Sequence, residues 1–204
     1  MELSHNLPNA LEHRMDIQLF QRPPWRDKKT ITINATLEGV KNKGDPPSVI
    51  KAAAERVLAQ MNPDITIYTD GSADAGTSNG GAAAVITEGS PECPIVTHVI
   101  KSKGAPATTS YEEEVAAMGK ALEWVNDHAG ERVSVLIITD SQSLCVALRE
   151  GNENLNNIQM LIDTCDQEIM IQWVPGHAGI EGNELADKHA KDATKLNEPP
   201  RKIS

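Results

Sequence analysis

Aromatic side chains are scarce in this chain of 204 residues, at 3% of the total, so a core drawn from its 39% hydrophobic residues has to be mainly aliphatic. Cysteine is limited to Cys93, Cys145 and Cys165, with no pairing and no CxxC spacing. That excludes a disulfide framework and gives a zinc site nothing to build on. No apolar run approaches the roughly 20 residues that a membrane helix needs. The opening residues Met1-Glu2-Leu3-Ser4-His5 lack the basic and apolar regions of a signal peptide, so the expected location is intracellular, in cytoplasm or nucleus. Positive charge is also in deficit, with a net charge of −10. Dedicated nucleic-acid binding modules are usually basic, because phosphate neutralisation supplies much of their affinity. An acidic chain can still act on nucleic acid if metal ions carry the positive charge at the chemistry. Weak stand-alone affinity is then expected.

Composition divides the chain. Residues 1–62 are rich in Pro and polar residues, as in Gln21-Arg22-Pro23-Pro24-Trp25 and Lys41-Asn42-Lys43-Gly44-Asp45-Pro46-Pro47. They read as a linker or extension carrying one short strand near Thr30–Ile33 and one helix from Ser48 to Met61, with Pro63 just past its end. Residues 63–196 read as a single domain and 197–204 as a tail. Within the domain, Ile65–Thr69, Gly81–Ile86 and Ile95–Ile100 form an antiparallel meander. Helices follow over Tyr111–His128, Ser141–Arg149, Leu155–Thr164 and Asn183–Lys195, interleaved with strands at Val133–Ile138 and Ile169–Val174. Strands that alternate with helices are parallel. The expected fold is α/β, a five-stranded mixed sheet with helices on both faces.

The chemistry lies in acidic residues at the ends of these elements. Tyr68-Thr69-Asp70-Gly71-Ser72 breaks from an alternating strand into a turn, so Asp70 sits at a rigid strand end with access to solvent. Thr139-Asp140-Ser141 repeats the situation after the buried strand Val133–Ile138. Ends of neighbouring parallel strands lie side by side, which is where open α/β sheets place their sites. Phosphodiester hydrolysis needs an activated water and a stabilised leaving oxygen. Two metal ions about 3.5–4 Å apart supply both, and magnesium favours oxygen ligands of this kind.

These residues, with Glu114-Val115-Ala116-Ala117 and the run Val174-Pro175-Gly176-His177-Ala178-Gly179 followed by Gly182-Asn183-Glu184-Leu185-Ala186-Asp187, resemble the ribonuclease H family over about residues 64–195. The resemblance implies a ribonuclease H-like fold and an endonuclease that hydrolyses the RNA strand of RNA–DNA hybrids by two-metal-ion catalysis. It implies Asp70, Glu114, Asp140 and Asp187 as metal ligands for two magnesium ions (manganese substituting), and His177 as an auxiliary catalytic residue. More weakly, it maps substrate contacts to Gly71, Ser72, Thr109, Ser110, Tyr111 and Asn183. The Tyr-Thr-Asp-Gly-Ser start and the Pro-Pro-Trp segment look most like the ribonuclease H domain of a non-LTR retrotransposon polyprotein. That likeness implies a reverse transcriptase module as partner. One departure stands out: bacterial relatives carry a basic helix and loop before the last strand, whereas Gly151–Glu168 here holds no Lys or Arg.

Three glutamates in succession, Glu112, Glu113 and Glu114, require a choice. At about 100° per helical residue, the apolar stripe Tyr111, Val115, Met118, Leu122 and Val125 faces the sheet. Glu114 lies roughly 60° from its centre, Glu112 roughly 100° and Glu113 roughly 160°. Glu113 is therefore expected to point to water. Glu181, Glu184, Asp192 and Glu123 read as solvated helix charges, Asp74 as a turn residue, and Trp124 and Trp173 as packing. Two other readings stay open: a non-catalytic domain of the same fold acting as a connector, and a transposase- or resolvase-type nuclease.

Overall fold

A computed structural model describes residues 31–40, 44–89, 94–131 and 133–197 of the chain. The Pro-Pro-Trp segment, Cys93 and the residues from 198 onward lie outside that set. The described residues fall in one compact unit that begins at Ile31.

Strand β1 (Thr32–Asn34) is followed by helix α1 (Pro47–Met61) and the meander β2 (Ile65–Asp74), β3 (Ser78–Glu88) and β4 (Ile95–Lys103). Next come α2 (Ser110–His128), β5 (Ser134–Thr139), α3 (Gln142–Glu150), α4 (Asn156–Thr164), β6 (Glu168–Trp173) and α5 (Glu181–Ala193). One six-stranded sheet runs in the order β1-β6-β5-β2-β3-β4. Strands β2, β3 and β4 pair antiparallel, while β2–β5, β5–β6 and β1–β6 are parallel. The expected mixed sheet is present with one strand more than the five counted from sequence. The extra strand is the short upstream segment, shifted to Thr32–Asn34, which pairs with Met170–Gln172 at the edge of the sheet. Three residues in a polar stretch give little periodicity, and only pairing with β6 makes them a strand.

Another difference matters more for the site. Strand β2 does not end at Thr69 but continues to Asp74, paired with β3 alone. Its parallel pairing with β5 stops at Thr69↔Thr139, so Asp70 and Asp140 each follow the last paired residue and stand at the same level. Asp70 is thus an interior strand residue, only 5% exposed, and not the strand end with access to solvent that was expected.

The core is aliphatic, as the composition requires. Ile67, Val85, Ile86, Met118, Leu122, Val125, Ile137 and Ile171 are wholly buried. Side chains alternate between the two faces of a strand, and this separates the helices. A Cβ on Gly71 would strike the first turn of α2, whereas one on Gly81 would strike the Ala190 carbonyl of α5. Gly71 pairs with Ala82 and Ser72 with Gly81, so consecutive positions meet different helices and α2 and α5 cover opposite faces. Among the described residues no helix is long and apolar enough to cross a membrane.

Candidate metal centre

Three elements meet at the C-terminal end of the parallel pair. Asp70 comes from β2, Asp140 follows β5, and Glu114 comes from just past the first turn of α2. Each offers a carboxylate oxygen, and these atoms all lie within 4.8 Å of one another. The backbone of Asp140 is pinned from two sides, by Trp173 Nε1 donating to its carbonyl (3.1 Å) and by the Ser141 N–H donating to Thr139 Oγ1 (3.2 Å). Gly176 passes directly against the Asp140 carboxylate, and a Cβ there would displace that carboxylate.

Such crowding of acids is costly. Burial pushes the Asp70 carboxyl up to about 8, helped by the nearby charges of Asp140 and Asp187. Glu114 is also pushed well above the usual carboxylate range, first by burial, then by Asp70 and Asp140, against a lowering contribution from the Gly71 backbone. Its Oε2 is buried without a hydrogen-bond partner. A buried carboxylate oxygen with no donor is unfavourable unless something positive meets it. Three convergent oxygen donors with no sulfur or imidazole among them match the ligand preference of a hard divalent cation such as magnesium. The residues present fit such an ion.

Asp187 stands beside this cluster on α5, half-buried and ion-paired to Lys191 one turn on (2.7 Å). Its charge reaches Asp70 and adds to that carboxyl's raised affinity for a proton. Asp187 also groups with His177 and Glu184, whose ligand atoms lie within 4.8 Å of one another. His177 is largely exposed and held at φ 56°, with Nδ1 3.9 Å from Glu184 Oε2. Glu184, expected as a solvated charge, has a side chain 40% exposed and also lies within this group. The available signal was its spacing: three residues before Asp187 on one helix places both on the same face. Lys191, four residues after Asp187, carried the same signal.

Helix α2 departs from the expected rotation. Tyr111 is 38% exposed and does not face the sheet, while Glu113 is fully buried where water was expected. Glu112 is the exposed member of the three. It closes a capping box, accepting from the Thr109 N–H (2.6 Å) while its own N–H donates to Thr109 Oγ1 (3.2 Å). The physical reason is that α2 packs through small residues, Ala117 and Ala121, as much as through its large ones. Judging the buried stripe by large side chains alone turned it away from Glu113. Glu114 keeps the expected orientation toward Asp70 and Asp140.

The remaining candidates spread around this centre. Gly71 and Ser72 are half-buried on β2, and Thr109 and Tyr111 are exposed at the start of α2 with Ser110 half-buried between them. Asn183 is 2% exposed and therefore lies beneath the surface. Trp124 and Trp173 are core residues, as expected.

Comparison with known proteins gives a consistent picture. The family model for RNase H matches residues 62–195. A ribonuclease H from Chromohalobacter salexigens is 31% identical over 149 residues, covering 65% of this chain and 85% of that protein. A Pol polyprotein of equine infectious anemia virus is 34% identical over 143 residues, covering 67% of this chain but 11% of the polyprotein. Among solved structures, the RNase H1 of the halophilic archaeon Halobacterium salinarum superposes with a TM-score of 0.54 at 20% identity, covering 64% of this chain and 97% of that one. That likeness is one of fold.

Proposed function

Because the chain belongs to the ribonuclease H family and is a ribonuclease H enzyme, we propose that it hydrolyses the RNA strand of RNA–DNA hybrids with two divalent cations, as a module of a retroelement reverse transcriptase. The observation that carries the metal reading is the Asp70–Glu114–Asp140 cluster, a buried set of acids within 4.8 Å that a cation would relieve. Asp70, Glu114 and Asp140 would hold one ion, with Asp187 completing the ligand set beside Asp70. Divalent cations bound there would activate a water and stabilise the departing oxygen. Magnesium is the expected ion and manganese its substitute.

The protein's own residues do the rest. Gly71 lets β2 lie against the backbone of Glu114 and Gly176 lets its loop pass against the Asp140 carboxylate, so the acids converge without intervening side chains. His177, exposed on its loop, handles protons or product at the edge of the centre. Thr109, Ser110 and Tyr111 offer hydroxyls at the start of α2, the kind of group that meets a nucleic-acid backbone or senses a ribose 2′-hydroxyl. The retroelement setting is supported by the match to a viral Pol polyprotein. The net charge of −10 supports it too, since a hybrid would then be held largely by a neighbouring module.

End-labelled RNA–DNA hybrid, duplex DNA and duplex RNA, each incubated with magnesium, manganese or excess EDTA, test the reading together. Cleavage confined to the RNA of the hybrid, metal-dependent and leaving 5′-phosphate and 3′-hydroxyl ends, is the expected result. Full activity in EDTA would overturn the metal assignment, and cutting of duplex DNA would point to a transposase-type nuclease.

A further inference from the structure

Glu113 is fully buried next to the metal-centre residue Glu114, yet its carboxylate points away from that centre. Its surroundings are specific. Thr108 Oγ1, itself on a residue only 6% exposed, lies 2.8 Å from Glu113 Oε1 and 3.3 Å from Glu112 Oε2. The hydroxyl has one proton, and the shorter approach assigns it to Glu113. On the sheet side the carboxylate fills a gap left by two glycines, Gly80 on β3 and Gly104 after β4. A Cβ on either would fall on the Glu113 carboxyl group. The two glycines are themselves joined, the Gly104 N–H donating to the Gly80 carbonyl (2.7 Å), and the Gly80 N–H donates to Ala105 (3.2 Å).

We infer that Glu113 is a positioning residue, a buried anchor that fixes the connection 104–109 between β4 and α2 and so presents Thr109, Ser110 and Tyr111 to substrate. The inference rests on the ribonuclease H reading for its functional half. Backbone hydrogen bonds also hold the connection, from Gly104 N–H to Gly80, Gly80 N–H to Ala105, Asn79 N–H to Pro106 and Thr108 N–H to Thr77, and the capping box ties its end at Thr109, while Thr108 to Glu113 is its buried side-chain tie. Without Glu113, Thr108 would keep only the longer approach to the exposed Glu112 carboxylate (3.3 Å), and a buried hydroxyl so weakly partnered favours local opening. Glu114 is positioned differently, by the close packing of α2 on Gly71. Loss of the anchor should therefore loosen substrate binding while leaving the carboxylate centre assembled.

Two variants of the full chain decide this: Glu113→Ala, which removes the acceptor, and Thr108→Val, which removes the donor at nearly constant volume. The first readout is amide hydrogen exchange, which needs no activity. Peptides covering 104–111 should exchange at least about fivefold faster in both variants, with β5 and α5 unchanged. The second is steady-state cleavage of a hybrid. KM should rise about five- to tenfold with kcat and the magnesium half-saturation nearly constant, and the double variant should add little to either single one. Unchanged exchange over 104–111 in Thr108→Val overturns the anchor. A loss that falls on kcat and magnesium half-saturation instead overturns the positioning of substrate and assigns Glu113 to the metal centre. If the unaltered protein cleaves no hybrid, the ribonuclease reading fails while the exchange data still judge the anchor.

Discussion

Gly71 lies directly against the backbone of Glu114: a Cβ at Gly71 would fall on the Glu114 nitrogen. The helix that delivers one carboxylate thus rests on the strand that delivers another, with no side chain between. Gly71→Ala must displace the start of α2. We expect it to cost about 1–3 kcal/mol of stability, the usual range for overpacking, and to cut hybrid cleavage by at least about a hundredfold, since even small misplacement of catalytic groups is that costly. Gly130→Ala, where the nearest atom would be an ordinary 3.5 Å away, is the matched control and should leave kcat unchanged. Equal effects of the two in parallel melting and cleavage assays would refute the packing argument.

The raised affinity of Asp70 for a proton links stability to pH. The carboxyl binds its proton up to about 8 in the folded chain but only to about 3.8 when unfolded. Its contribution to stability is complete below the unfolded value and is lost as pH rises through the folded one. Metal-free protein should therefore melt at progressively lower temperature from pH 5 to pH 8. Asp70→Asn should weaken that trend, with Glu114 keeping part of it, and stabilise the metal-free fold at pH 8 by roughly 2 kcal/mol, while abolishing cleavage. Calorimetry in EDTA across this range checks both. A melting temperature that climbs with pH, with the trend intact in the variant, would assign the effect elsewhere.

Added magnesium should reverse the same trend, because a bound cation stabilises the folded chain by mass action and relieves the acids it touches. The gain in melting temperature should be larger at pH 8 than at pH 5 and absent in Glu114→Gln. The same substitution should abolish cleavage, whereas Glu112→Ala, which breaks the capping box, should cost about 1 kcal/mol of stability with kcat retained. Comparing thermal shifts with turnover in the two variants separates a metal ligand from a helix cap.

His177 is exposed on a loop at the edge of the site, and its removal should slow turnover without dismantling the centre. His177→Ala is expected to lower kcat about ten- to several-hundredfold, within the usual contribution of a general acid or base. Asp70→Asn should be far more damaging. Single-turnover rates for both variants test the ranking, and equal losses would make His177 an indispensable residue, not an auxiliary one.

Charge sets the last expectation. With a net charge of −10 and no Lys or Arg in Gly151–Glu168, the isolated chain should bind hybrid poorly and lose affinity steeply with salt. Fluorescence anisotropy from 50 to 200 mM salt in calcium measures this. Nanomolar binding at the higher salt would reveal a positive surface that composition does not show.

The order of strands and helices was legible from residue order alone, because alternation at period 2 and apolar spacing near 3.6 are local properties. So were Asp70 and Asp140 as acids that follow a strand pattern, while the His177–Asp187 spacing stood out through its resemblance to a family motif. What local pattern cannot encode is which surface each face will meet. Glu113 reads as a solvent-facing charge on a helical wheel, and it is buried because Gly80 on β3 and Gly104 just past β4 leave a carboxylate-sized gap opposite it. Asp70 reads as a strand terminus, and it is interior because β3 continues to pair beyond the point where β5 departs. Thr32–Asn34 becomes a strand only because β6 offers an edge. The sequence by itself determined the elements and the acids that end them. Tertiary structure decided which of those acids are buried together, because burial depends on neighbours that are distant along the chain and adjacent only once the sheet has formed.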